Sequence, residues 1–158
     1  MSARARSLME YMLSNPDVQM LKSFKHHRRV TTYEHSVNVM KLSIRMAKRL
    51  RLSESKICNL IIGSMLHDFF LYDYHDRGRV KKDGIHAWSH PRVALDNAER
   101  YFVLNREQEN IIRSHMFPVT LLHPPRCKEA FIVCIADKIC ATKELLPWCS
   151  DSVKFSTY

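Results

Sequence analysis

An imidazole and a carboxylate stand side by side where the chain is otherwise building a core. Gly63-Ser64-Met65-Leu66-His67-Asp68-Phe69-Phe70-Leu71-Tyr72-Asp73 follows the apolar run Ile57-Cys58-Asn59-Leu60-Ile61-Ile62. A second case lies in Ala130-Phe131-Ile132-Val133-Cys134-Ile135-Ala136-Asp137-Lys138-Ile139-Cys140-Ala141, which only Asp137 and Lys138 interrupt. A carboxylate buried without a partner is costly, so Asp68 and Asp137 must be paired, neutral or bound to a cation. His35, His90 and His115 fall at the expected ends of helices, within reach of joining His67. Imidazole with carboxylate is a donor set suited to iron, manganese or zinc. Taken singly, each residue has a plainer reading. An Asp beside a Lys is most often an ion pair, and a His at a helix terminus is most often a cap or dipole partner. Their joint occurrence in one chain favours a bound cation.

The elements that must carry these residues are helical. Thr31-Thr32-Tyr33-Glu34 has the form of a capping box, and the apolar spacing through Val37, Met40, Ile44 and Ala47 predicts a helix over 31–51. Ser53 and Glu54 begin the next, which runs to about Phe70. Residues 71–88 hold two of the three glycines and many charges, and form the longest loop. Ser89 is the expected N-cap of a helix with Pro91 in its first turn, ending near Phe102. Asn105 and Gln108 cap another that ends near His115. Pro118, Pro124 and Pro125 keep 117–125 non-helical. The last helix covers about 127–146 and stops before Pro147. Being apolar nearly all round, it reads as the buried central helix. The expectation is an all-α fold of six or seven helices in one domain: a core over about 30–146, a helical extension over 1–29 and a short tail over 147–158.

The length, 158 residues, is enough for one domain with a proper core. No apolar run approaches the ~20 residues that span a bilayer, which argues against a membrane partner. The first residues lack the apolar segment of a signal peptide, so a cytoplasmic protein is expected. Cysteines number 5 with no CxxC pair, which argues against a disulfide framework or a cysteine zinc site. Cys134 and Cys140 read as small buried hydrophobes. A net charge of +9 favours a negatively charged partner: a phosphorylated metabolite, a nucleotide or, less favoured, a nucleic acid.

In this order the residues resemble the HD-domain metal-dependent phosphohydrolase superfamily, over roughly 30–146. Tyr33-Glu34-His35-Ser36-Val37 is similar to its first histidine motif and Leu66-His67-Asp68 to the name-giving pair. His90-Pro91 and Ile135-Ala136-Asp137-Lys138 complete the pattern. An HD dipeptide alone is a weak signal, but six ligand-type residues in this order are a specific one. The resemblance implies that His35, His67, Asp68 and Asp137 hold one metal. His90 and His115 would add a second, with Asp68 bridging. Members with a His-Asp-x-x-Lys signature have a lysine where Leu71 stands, so that subgroup's substrate contacts do not carry over. His86 competes with His90 for the third histidine. Ser89 and Pro91 decide for His90.

The chemistry implied is attack on phosphorus by a metal-activated water, which makes the expected protein a hydrolase of phosphate esters with one or two divalent ions. Asp68 would be central to it. Asp73 or Asp76 could aid proton transfer, though solvated loop carboxylates are the plainer reading. Arg77, Arg79, Lys81 and Lys82 could grip phosphate in the loop after the motif, against the alternative of a solvated charged loop. Lys138, next to a ligand, could touch phosphate or simply pair with a carboxylate. His26-His27-Arg28-Arg29 could line the entrance, with Arg28 toward substrate. His26, His27, His75, His86 and His123 otherwise read as surface residues. Two other functions fit the same residues. Some proteins of the superfamily use this ligand set for two irons and an oxygenase reaction. A binding or regulatory module for nucleic acid could keep the metal for structure alone, although no basic tail or RNA-binding motif supports it.

Overall fold

The computed structural model describes residues 1–26, 30–72 and 86–146. Seven α-helices order the described residues: α1 (Ala3–Ser14), α2 (Pro16–Gln19), α3 (Thr32–Arg49), α4 (Glu54–Leu66), α5 (His86–Tyr101), α6 (Arg106–Ser114) and α7 (Lys128–Leu145). A 3-10 turn, Met20–Ser23, follows α2. The described residues contain no strand, only a single bridge between Lys25 and Thr31. The fold is therefore all-α, as the periodicity implied.

Local chemistry starts most of these helices. The Ser2 hydroxyl accepts the Ala5 N–H at 3.2 Å, and Asn15 Oδ1 accepts those of Asp17 and Val18 at 2.8 and 3.3 Å. Both caps satisfy donors that the first helical turn leaves open. The two capping boxes are complete. Glu34 N–H donates to Thr31 Oγ1 at 3.2 Å while Thr31 N–H donates to Glu34 Oε2 at 2.8 Å. Asn105 and Gln108 exchange the equivalent bonds at 2.9 and 3.0 Å.

Three boundaries or roles differ from expectation. α4 stops at Leu66 rather than near Phe70, because the chain closes a turn there: Phe69 N–H reaches the Leu66 carbonyl at 3.1 Å and Phe70 N–H the Asp68 carbonyl at 2.8 Å. Leu71 then takes a left-handed φ of 51°, which no helix continues through. α5 starts at His86, ahead of Ser89, so Ser89 is not its N-cap and Pro91 lies inside the helix. As the sixth helical residue Pro91 lies past the first turn, so it forfeits one helical hydrogen bond and its ring crowds the carbonyl four residues earlier.

The third difference concerns the centre of the bundle. α4, not α7, is the central helix: it touches α1, α3, α5, α6 and α7. Leu60, Ile61, Met65 and Leu66 are fully buried there. α7 leaves Phe131, Ile135 and Ile139 exposed along one edge while burying Ala130, Val133, Ala136 and Cys140. Continuous apolarity marked α7 as hidden, but exposed leucines and isoleucines are ordinary on protein surfaces. Gly63 sets how closely α4 approaches α6, since a Cβ there would lie 2.7 Å from Ile111 side-chain atoms. The core also extends N-terminally of residue 30: Ala5, Met12, Val18 and Leu21 belong to the same buried cluster as Leu60 and Ile111. No helix among the described residues is long and apolar enough to cross a membrane.

Candidate metal centre

Five helices aim polar side chains at one point. The Thr31–Glu34 capping box fixes the start of α3 and with it His35, in the first turn. His67 is the C-cap of α4, and its Nδ1–H donates to the Ser64 carbonyl at 2.7 Å. His115 is the C-cap of α6 and repeats the device, donating to the Ile112 carbonyl at 2.7 Å. In each case Nδ1 is engaged by the helix end, which sets the tautomer and leaves Nε2 facing inward. Asp68 follows His67 directly. α5 supplies His90 and α7 supplies Asp137. All six are buried.

The distances sort these residues into two groups that meet at Asp68. On one side, His35 Nε2 lies 3.1 Å from Asp137 Oδ1 and His67 Nε2 lies 3.7 Å from it. Asp68 Oδ2 faces the same two rings, 3.7 Å from His35 Nε2 and 3.4 Å from His67 Nε2. On the other side, Asp68 Oδ1 is 3.3 Å from His90 Nε2 and 3.4 Å from His115 Nε2, which are 2.8 Å from each other. The donor atoms of His35, His67 and Asp137 lie within 4.8 Å of one another, as do those of Asp68, His90 and His115.

The electrostatics show how a buried cluster of this kind balances its charge. Burial alone would lower the His35 pKa. Hydrogen bonds to Asp137 and Glu144, with the charges of Asp137 and Asp68, outweigh it and raise the value to about 10. His67 is likewise disfavoured as a cation by burial but raised, chiefly by the charge of Asp68. Burial would raise the carboxylates, yet both are held well below the usual range. For Asp68 the next cause is the charge of His67; for Asp137 it is the facing imidazoles of His35 and His67, with Nε2 atoms 3.1 and 3.7 Å away. His115 is lowered, by burial first. The raised His35 thus favours positive charge beside Asp137 and Asp68, at the point where a cation would bind.

The donor set fits a divalent metal. His67 Nε2 and Asp68 Oδ1 are buried atoms that make no hydrogen bond, and such atoms call for an explanation. Among the described residues imidazoles are the nearest cationic partners of both carboxylates, and the Lys138 ammonium stands farther off, 4.0 Å from Asp137 Oδ2. Mixed nitrogen and oxygen donors of this kind suit iron, manganese or zinc, and leave the choice among them open.

Of the other residues singled out by sequence, Lys138 lies beside the cluster but is engaged elsewhere. Its ammonium donates to the His115 carbonyl at 2.8 Å and the Cys134 carbonyl at 3.3 Å, and is 4.0 Å from Asp137 Oδ2. It therefore steadies the turn after α6. His123 is exposed, as expected. Arg28, Asp73, Asp76, Arg77, Arg79, Lys81 and Lys82 lie outside the described residues, as do His27 and His75.

His26 corrects the reading of it as a surface residue. It is buried at 8% exposure and its Nε2 sits 2.9 Å from Asp68 Oδ2. Nothing in its spacing marked it, because it reaches the cluster from a loop rather than from a helix face. Glu144 escaped notice too, although its position seven residues after Asp137 puts both on one face of α7. Its Oε2 accepts the His35 Nδ1–H at 2.8 Å, and Asn38 Nδ2 donates to its other oxygen at 3.2 Å. A carboxylate behind a ligating histidine orients the ring and raises its basicity. Glu144→Gln is therefore expected to weaken manganese binding about 10-fold, measured by titration of the metal-free chain.

The HD-domain family profile matches residues 32–142, most of the chain. No curated protein and no solved structure matches it. The chain belongs to the HD-domain family, a group consisting largely of metal-dependent hydrolases.

Proposed function

We propose that this protein is a binuclear metal-dependent phosphohydrolase that cleaves a phosphate ester of a nucleotide or small phosphorylated metabolite. The observation that carries the reading is the division of Asp68, whose Oδ2 faces His35 and His67 while its Oδ1 faces His90 and His115. One group, His35, His67 and Asp137, would hold one ion with Asp68 Oδ2. His90 and His115 would hold the other with Asp68 Oδ1. Divalent ions bound there would supply a water of lowered pKa and positive charge for the phosphoryl oxygens.

The chain's own residues do the rest. The Ser64 and Ile112 carbonyls hold the His67 and His115 rings in the tautomer that offers Nε2. Glu144 does the same for His35 from the opposite side, through Nδ1. Lys138 ties the His115 backbone to α7, so its role is to position rather than to touch phosphate. Arg28, Arg77, Arg79, Lys81 and Lys82, close in sequence to the ligands, are the proposed phosphate grips, and Asp73 the proposed proton carrier. The excess of positive charge favours an anionic substrate.

The test is phosphate release from a panel of nucleotides and sugar phosphates by manganese-loaded protein, with and without chelator. Chelator-sensitive release is expected. Oxygen uptake by iron-loaded protein without any phosphate release would move the reading to the oxygenase branch. Salt-sensitive oligonucleotide binding without turnover would leave the binding module.

A further inference from the structure

We propose that His26 is a seventh residue of the centre: a positioning residue that fixes the shared carboxylate of Asp68 by donating to Oδ2. The proposal rests on the metal reading of the site. His26 comes from the segment before α3, outside the span of the family match, and its placement is built rather than incidental. Its backbone N–H donates to the Val30 carbonyl at 2.9 Å, and Thr32 N–H donates back to the Phe24 carbonyl at 2.9 Å. This pairing ties the segment directly to the start of α3, the helix that carries His35. The His26 ring lies flat on the His35 ring, with centroids 3.9 Å apart and an interplanar angle of 14°. The stacking aims Nε2 at Asp68 Oδ2, 2.9 Å away, the closest imidazole contact of that carboxylate among the described residues.

The lone pairs of Asp68 show why this contact assists a cation rather than competing with it. Each carboxylate oxygen accepts in two directions. Oδ1 faces His90 and His115. Oδ2 faces His35 and His67, and a cation held with them would use one of its two directions. The other would remain for the His26 N–H. A bridging carboxylate must present both oxygens at fixed angles, and a hydrogen bond from behind does this. His26 is also close to His35 and Glu144, and the three could be read as a metal site of their own. A His35 ring that ligates through Nε2, on the Asp137 side, carries its proton on Nδ1, which faces Glu144 at 2.8 Å, so that grouping works as support for His35 instead.

The experiment is titration of the metal-free full chain with manganese ion alone, for the parent, His26→Phe, His26→Asn and His26→Gln. Phenylalanine keeps the stacked ring and loses the donor. Asparagine keeps an amide but is too short to reach Oδ2. Glutamine carries an N–H to about the place of Nε2. His26→Phe and His26→Asn are expected to bind manganese about 10- to 100-fold more weakly, the usual effect of removing such a supporting partner. His26→Gln is expected to recover most of that loss. Circular dichroism of the metal-free proteins checks folding, and His26→Asn carries the comparison if His26→Phe does not fold. Parent-like affinity in both weak variants overturns the proposal. So does a glutamine variant as weak as they are, which would reduce His26 to packing. A parent that takes up no manganese overturns the metal reading itself, and is seen before any variant is made.

Discussion

Asp68→Asn is expected to fold, to lose its bound metal and to fall about 10²- to 10³-fold in kcat/KM on any ester the parent hydrolyses, the scale seen when a pre-organised charge-stabilising group is removed. Asparagine has nearly the same shape, so it fits the buried position of Asp68 without added volume. What changes is the charge and one oxygen. An amide nitrogen would face either His90 and His115 or His26, His35 and His67, where an acceptor now stands. Each of the two groups would lose its shared ligand or have it weakened. Either result alone, a variant that keeps its metal or one that keeps more than about a tenth of parental turnover, would contradict the central place of Asp68.

Phe69→Ala is expected to destabilise the fold by about 3–5 kcal/mol, the range for removing a buried aromatic ring. Phe69 is fully buried one residue after the His67–Asp68 pair. Its ring meets Tyr101 and Phe102 edge-on, at centroid distances of 5.6 and 5.9 Å, and its carbonyl accepts from Asn97 Nδ2 at 3.1 Å. The residue thus fastens the turn after α4 to the end of α5. Urea unfolding of the metal-free chain measures the loss. Phe69→Leu, closer in volume, is expected to cost less than about 1.5 kcal/mol. A loss below about 1 kcal/mol for the alanine variant would mean that the turn is held by something other than this ring.

What could be read from the sequence was mostly what is decided locally. Capping boxes are a matter of residues three apart, so Thr31 with Glu34 and Asn105 with Gln108 announced the starts of α3 and α6. Buried carboxylates in apolar runs announced a cluster, since Asp68 and Asp137 had to be compensated by something. The remaining features depend on residues far apart in the chain. Whether α4 or α7 lies at the centre is settled by what packs around each, and both are apolar runs. The end of α4 is set by a turn whose geometry serves the site, not by helix propensity. His26 reaches Asp68 across a loop, and no periodicity connects residues 26 and 68. Glu144 was the one omission with a legible signal, its spacing from Asp137 on a single helix.

The most direct test of a shared two-metal centre is the number of manganese ions held per chain, by equilibrium dialysis of metal-free protein followed by elemental analysis. About two per chain are expected, as for paired sites that share a carboxylate. One would separate His90 and His115 from metal binding, and none would remove the metal as the reason why Asp68 and Asp137 are buried.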